Sequence, residues 1–290
     1  MRAGIDCRIV VGGMTFLIED ILDLEAYPLD QPDHMVCDEL MSEKQRNWQA
    51  EGAFSLSAFL RPGMADRAAA ELTALMNVDS FRHDERHNIY FSDDTCEIPP
   101  ALASTQLRTS NWTLTCDQLG GTIIRTIYEW PPLCEFIRRV LALPSLHRMA
   151  DPMACLNVMS YGEGDCLDWH FDRAEFAVTL LLQAPESGGQ FEYRRALRTH
   201  DNPNYDGVQM LLKGKDRNVR KIEPTPGNLS VFAGFGSAHR VSPIVGSRPR
   251  MMAVLSFMEE PDFQYGPEDR MRFYGRSSPQ SSNSDGAGTP

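Results

Sequence analysis

The chain has 290 residues, 42% of them hydrophobic, and a formal net charge of -12. That length and apolar content support one large domain or two small ones with a sizeable core, while the acidic balance argues against nucleic acid or an anionic membrane surface as partner, since both reward basic patches. No run of about 18 apolar residues occurs, so no membrane-spanning helix is expected, and the apolar stretch before Phe16, preceded by Asp6 and followed by Glu19-Asp20, makes a poor signal peptide.

Residues 1–50 are expected to form an N-terminal extension, partly mobile, and residues 51–276 a single domain that opens at Gly52 to Leu60. Pro62 to Met76 predicts a helix, with Pro62 suited to a first turn and Ala68, Leu72 and Leu75 at helical spacing. Asn88 to Phe91 is a short strand candidate. Asp117 to Tyr128 and Leu133 to Leu143 read as helices broken by Pro131-Pro132, the second with Phe136, Val140 and Leu143 on one apolar face. From Met153 the pattern changes to short strands, near 154–160, 167–171, 176–183, 189–194, 229–233, 237–242 and 250–258. Such a run suggests a sandwich or barrel. Thr199 to Lys221 interrupts it with Asn202-Pro203-Asn204 and a charged run from Lys213 to Arg217, as a solvated loop or a lid that orders over substrate. Residues 277–290, rich in Ser, Gly and Pro, should be disordered.

Chemistry concentrates at His170-Phe171-Asp172. In extended chain, residues i and i+2 point to one side, so both side chains can reach one metal if the segment is a strand or a strand end. His239 follows Gly234 and Gly236, which suit a tight bend, and lies between two strand-like runs. Two imidazoles and a carboxylate can close one face of an iron(II) octahedron and leave the other open. The absence of a Cys-x-x-Cys pair argues against structural zinc. A lone His-x-Asp is common by chance; the weight here lies in its combination with His239 and with Arg248 and Arg250, which lead an apolar strand. Those arginines differ by two and can share a face, and a buried guanidinium needs an anionic partner.

These residues resemble the Fe(II)/2-oxoglutarate-dependent dioxygenases, over about residues 150–260. Gly188-Gly189-Gln190-Phe191 is similar to the Gly-Gly-x-Phe turn and strand of that family. The stretch from Ala177 to Arg194, with Leu146 to Pro152 upstream, resembles a subgroup of free-amino-acid hydroxylases and radical halogenases. Halogenases of this type carry a small residue where this chain has Asp172, so the resemblance implies oxygenation. It also implies an α+β fold with a mainly β core, a double-stranded β-helix or jelly roll buttressed by N-terminal helices. His170, Asp172 and His239 would hold Fe(II). 2-Oxoglutarate would be co-substrate with O2, its far carboxylate on Arg248 or Arg250, since the family uses both spacings.

The implied reaction is hydroxylation of an unactivated C–H bond of a free amino acid or amino-acid-derived metabolite, giving succinate and CO2. Desaturation, ring closure and peptide hydroxylation are alternatives on the same cofactors; a non-catalytic binding jelly roll is the remote one, disfavoured by the paired arginines. Asn157 and Tyr161 are further 2-oxoglutarate candidates, although Asn157 equally suits backbone at a strand edge. Arg173 is a candidate for a substrate carboxylate, or else a surface salt bridge; Asp168 and Glu175 are candidates for a substrate amine. Thr179 and Ser256 should line the barrel. The expected partner is a small molecule, with no nucleic acid or membrane, and a homodimer is left open. Seven scattered cysteines read as reduced thiols of a cytoplasmic protein.

Overall fold

A computed structural model describes residues 9–11, 14–32, 34–92 and 96–280. Its largest sheet has eleven strands in the order Arg220–Ile222, Phe191–Arg194, Ala238–Val241, Leu167–His170, Leu107–Thr115, Leu156–Tyr161, Arg250–Leu255, Ala177–Gln183, Leu229–Phe232 and Ala53–Leu56, with Phe81–His87 paired to Leu107–Thr115. A sheet this wide curls on itself. Leu107–Thr115 turns the corner, pairing with Leu156–Tyr161 from Trp112 to Thr115 and with Leu167 through Thr109. The two halves then face each other, and Phe191 of one meets Phe232 of the other with ring centroids 4.9 Å apart. This is the expected double-stranded β-helix.

The larger half packs on helices with one face and lines a cavity with the other, and register explains how. Leu114, Val158, Ala253, Leu180, Leu229 and Leu56 stand side by side across six strands. All six are fully buried, in one cluster with Ala68 and Leu72 of the helix Met64–Asp79 and with Ile124, Ile127, Leu133, Phe136 and Ile137. Burying each large aliphatic side chain contributes roughly 1.5–3 kcal/mol. The alternate residues point the other way, and Thr113, Asn157, Met159, Met252, Thr179, Leu181 and Ser230 line an interior cavity of about 330 Å³. Outer side chains thus hold the sheet to the helices, and inner ones are left for ligands.

Several elements differ from expectation for local reasons. Asn88 to Phe91 is a turn, because the Asn88 side chain accepts the N–H groups of Tyr90 and Ser92 and Phe91 takes a φ of +51°. The strand lies just upstream, at Phe81–His87, where a charged sequence conceals it. Pro131 and Pro132 begin the second helix, Pro131–Val140, as well as ending the first, Ile123–Glu129. Residues 199–221 contain a helix, Tyr205–Leu212, N-capped by Asn204. Its Val208 and Leu211 pack with Trp169, Phe171 and Ala238 behind the smaller half of the sheet, so the stretch is no lid over the cavity. Strand 250–258 divides into Arg250–Leu255 and Phe257–Met258. Residues 35–51 form a helix closed by Gly52 at φ +64°, and Ile21, Leu22, Leu24 and Leu29 share the main core. The expected tail lies outside the described residues from 281 onward. Among the described residues, no helix is long and apolar enough to cross a membrane.

A C-terminal helix, Pro267–Tyr274, closes one end of the cavity with Tyr265, Phe273 and Tyr274. Asp151, fully buried, holds it: its carboxylate accepts the N–H groups of Met153, Ala154 and Tyr265 and the Arg270 Nε–H at 2.9 Å. Burial alone would push this carboxyl up, but those donors outweigh it and hold it below the usual range. A depressed folded value means its stabilisation is present above the unfolded value of about 3.9 and is lost as pH falls through the folded one. Asp151→Asn, which leaves Arg270 unpaired, should cost about 3–5 kcal/mol at pH 7. In urea melts its deficit against the wild type should shrink as pH falls below about 4; a constant deficit at all pH values would refute this account.

Candidate active site

His170 and His239 stand directly opposite each other on neighbouring antiparallel strands, with ring centroids 4.0 Å apart. The next pair in the ladder is Leu167 with Val241, so three steps on one strand match two on the other. This bulge lets Leu167 and His170 both face the cavity and turns Asp168 and Trp169 outward together. Strand pairing ends at His170, and Asp172 follows in the segment beyond it, held by a hydrogen bond from its N–H to the Gly234 carbonyl at 3.2 Å.

Both imidazoles are fixed in the same way. Nδ1 of His170 bonds the Asp168 carbonyl and Nδ1 of His239 the Ser237 carbonyl, each at 2.9 Å. A carbonyl can only accept, so each Nδ1 carries a proton and Nε2 is the nitrogen turned toward Asp172. Oδ1 of Asp172 lies 3.5 Å from both Nε2 atoms, and the three ligand atoms fall within 4.8 Å of one another. Burial, reinforced by His239, pushes the His170 imidazole down toward neutrality. Burial would raise the Asp172 carboxyl, but the two histidines hold it well below the usual range. Neutral imidazoles and an ionised carboxylate are the forms that ligate a metal, and two nitrogens with one oxygen suit iron(II). Phe191 and Phe232 pack on His239, and the edge of Phe91 on His170, which limits water around the site.

Farther along the cavity Arg250 is 3% exposed and has no carboxylate partner. Both Nη atoms reach only the Met252 sulfur at 3.5 Å, and Nε has no hydrogen-bond partner at all. Tyr161, its neighbour in register, is fully buried; its hydroxyl donates only to the Met159 sulfur at 3.3 Å, and burial pushes its phenol up to about 12. A guanidinium and a phenol satisfied only by sulfur make a cavity end that calls for an anion.

The sequence profile of the halogenase D family matches residues 36–270. The chain belongs to this family, within the Fe(II)/2-oxoglutarate-dependent oxygenases. Solved structures agree in fold. The epimerase SnoN in complex with Fe3+, alpha ketoglutarate and nogalamycin RO is 13% identical, with a TM-score of 0.50, over 77% of this chain and 84% of that one. The alpha ketoglutarate dependent carbocyclase SnoK from nogalamycin biosynthesis is 10% identical, with a TM-score of 0.51, over 83% and 93%. AviO1 from Streptomyces viridochromogenes Tue57 is 12% identical, with a TM-score of 0.51, over 76% and 95%. No curated protein sequence matches. As an oxygenase of this class the chain uses iron(II), 2-oxoglutarate and O2, and the His-Asp-His group with the partnerless Arg250 fits them.

The other expected residues of this halogenase D family member divide by position. Asn157, Thr179 and Ser256 line the cavity. The Asn157 amide is already engaged, donating to the carbonyls of Met153 and Leu156 and accepting the Tyr274 hydroxyl at 3.0 Å. The hydroxyls of Thr179 and Ser256 donate to the backbone carbonyls of Ser230 and Ala154. Arg173 lies at the cavity wall but pairs with Asp269 at 2.9 Å. Asp168 lines an outer groove, Glu175 pairs with His200 outside the cavity, and Arg248 is exposed with its N–H on Glu186. The sequence reading overlooked Tyr265, Phe273 and Tyr274. Their one signal was a helix start, Gly266-Pro267-Glu268-Asp269, beyond the last expected strand.

Anaerobic Fe(II) or Mn(II) should raise the unfolding temperature of the wild type. A free metal concentration of 100 times Kd stabilises by about 2.7 kcal/mol. His170→Ala and His239→Ala should each abolish that shift, and a shift of wild-type size in either would show that the metal binds elsewhere.

Proposed function

We propose that the protein hydroxylates an unactivated C–H bond of a small molecule, with oxidation of 2-oxoglutarate to succinate and CO2. The observation that carries this reading is Asp172. A carboxylate 3.5 Å from both Nε2 atoms fills the place that halogenases of this type leave to a halide. His170, Asp172 and His239 hold the iron. Bound there, iron(II) with 2-oxoglutarate and O2 supplies the oxidising chemistry. Arg250 takes the far carboxylate of 2-oxoglutarate in a charge-assisted contact, with the Tyr161 hydroxyl beside it. The unmet donors of Arg250 support it over the exposed Arg248. Phe91, Phe191 and Phe232 keep water from the reacting centre.

A cavity closed at one end by Tyr265, Phe273 and Tyr274 favours a small molecule over a peptide, which would want a groove open along its length. Among substrates, an amino-acid-derived molecule is favoured over a free amino acid. Asp168 and Glu175 are outside the cavity, and besides Asp172 its lining carboxylate is Glu223, exposed and bonded by Gln190. A free ammonium group would meet no buried acid there.

Incubation with Fe(II), 2-oxoglutarate and a metabolite library should give succinate and a product about 16 mass units heavier, the gain of one oxygen atom. No turnover with any member would sink the enzymatic reading, and chlorinated product would sink the hydroxylase reading. Arg250→Ala should weaken 2-oxoglutarate binding on the order of a hundredfold, the equivalent of about 2–3 kcal/mol for an unpaired buried charge. Arg248→Ala should leave it unchanged; the reverse pattern would reassign the clamp.

A further inference from the structure

Gly234 contacts the candidate ligand Asp172 more closely than any side chain would allow. A Cβ built at position 234 would lie 2.0 Å from Oδ2, 2.7 Å from Cγ and 2.8 Å from Cβ of Asp172. Its three nearest atoms all belong to that one side chain. Gly234 does not adopt a left-handed backbone, so φ does not demand glycine here. The need for glycine arises from the Asp172 side chain, its Cβ included.

The clash has no easy escape. Rotation about χ1 and χ2 can move the carboxylate oxygens and Cγ, but it cannot move the Asp172 Cβ. The two backbones are also tied together. Asp172 N–H donates to the Gly234 carbonyl at 3.2 Å, and Arg198 donates from Nε to the Phe235 carbonyl at 2.7 Å and from Nη2 to the Asp172 carbonyl at 3.3 Å. The Arg198 guanidinium is itself held over the rings of Phe171 and Phe235, at 4.1 and 4.2 Å. A methyl group at 234 must therefore displace the carboxylate, strain the clamp, or both.

We propose that Gly234 is a positioning residue for the third metal ligand. Positions 172 and 234 form a sterically coupled pair, in which a carboxylate at 172 requires glycine at 234 and a glycine at 172 releases that requirement. The pair, and not residue 172 alone, then sets whether this chain presents three protein ligands or two. This rests on Asp172 being a ligand, as proposed above.

The test is a cycle of Asp172→Gly, Gly234→Ala and the double variant, read by anaerobic Fe(II) binding and by thermal unfolding of the metal-free proteins. Neither readout needs a substrate. Gly234→Ala should weaken Fe(II) binding about ten- to a hundredfold and lower the unfolding temperature. The double variant should recover the unfolding temperature and bind Fe(II) no worse than Asp172→Gly alone. Wild-type Fe(II) affinity in Gly234→Ala, losses that add in the double variant, or a double variant no more stable than Gly234→Ala would each overturn the coupling. If Asp172→Gly binds Fe(II) as tightly as wild type, the ligand reading fails by itself, and recovery of stability in the double variant still decides the steric claim.

Discussion

The site depends on one register. His170 and His239 oppose each other in the ladder between Leu167–His170 and Ala238–Val241, and a slip of one residue would send either imidazole to the outer face. The bulge behind them sets the phase, because it brings Leu167 and His170 inward across an odd spacing. The carbonyls of Asp168 and Ser237, each two residues before its histidine, then fix both tautomers. Three short-range devices thus present two Nε2 atoms to one point, and Asp172 is carried to that point by the end of the same strand.

The remaining architecture keeps this arrangement rigid while leaving space beside it. A jelly roll that filled its interior with aliphatic side chains would have no room for a cofactor. Here the outer face of the larger half does the holding, through the row from Leu114 to Leu56 packed on the helices. The inner face is free to carry threonines, Asn157, two methionines and Arg250. The methionine sulfurs give Arg250 and Tyr161 weak partners, enough to place them and too little to satisfy them. The C-terminal helix closes one end of the cavity, held by buried Asp151 and its partner Arg270.

Much of this was legible in the sequence where period and chemistry agreed. The strands from 154 to 258 alternate because one face packs on helices and the other lines a cavity, and His170, Asp172 and His239 converge as expected. Legibility failed where a local device overrode the pattern. Asp168 was a candidate for a substrate amine, and the bulge turns it to the outer groove instead. Phe81–His87 carries so many charges that its strand was invisible, since the partners of those charges, Arg108 for Asp84 among them, stand on the neighbouring strand. The helix Met35–Glu51 fully buries only Cys37, Met41 and Lys44, with Leu40 and Trp48 half-buried beside them, a stripe interrupted by a lysine. Arg248 and Arg250 are equivalent by spacing, and only burial separates them.

The family name points to halogenation and the residue at 172 points to oxygenation. On the function proposed above, the choice between halide and oxygen rests on one side chain and on the space that Gly234 leaves for it. The most direct measurement is the isotopic composition of the product formed under oxygen-18 gas in saturating chloride. Product carrying one oxygen-18 atom and no chlorine is the result predicted; a carbon–chlorine bond in the wild-type product would contradict the account.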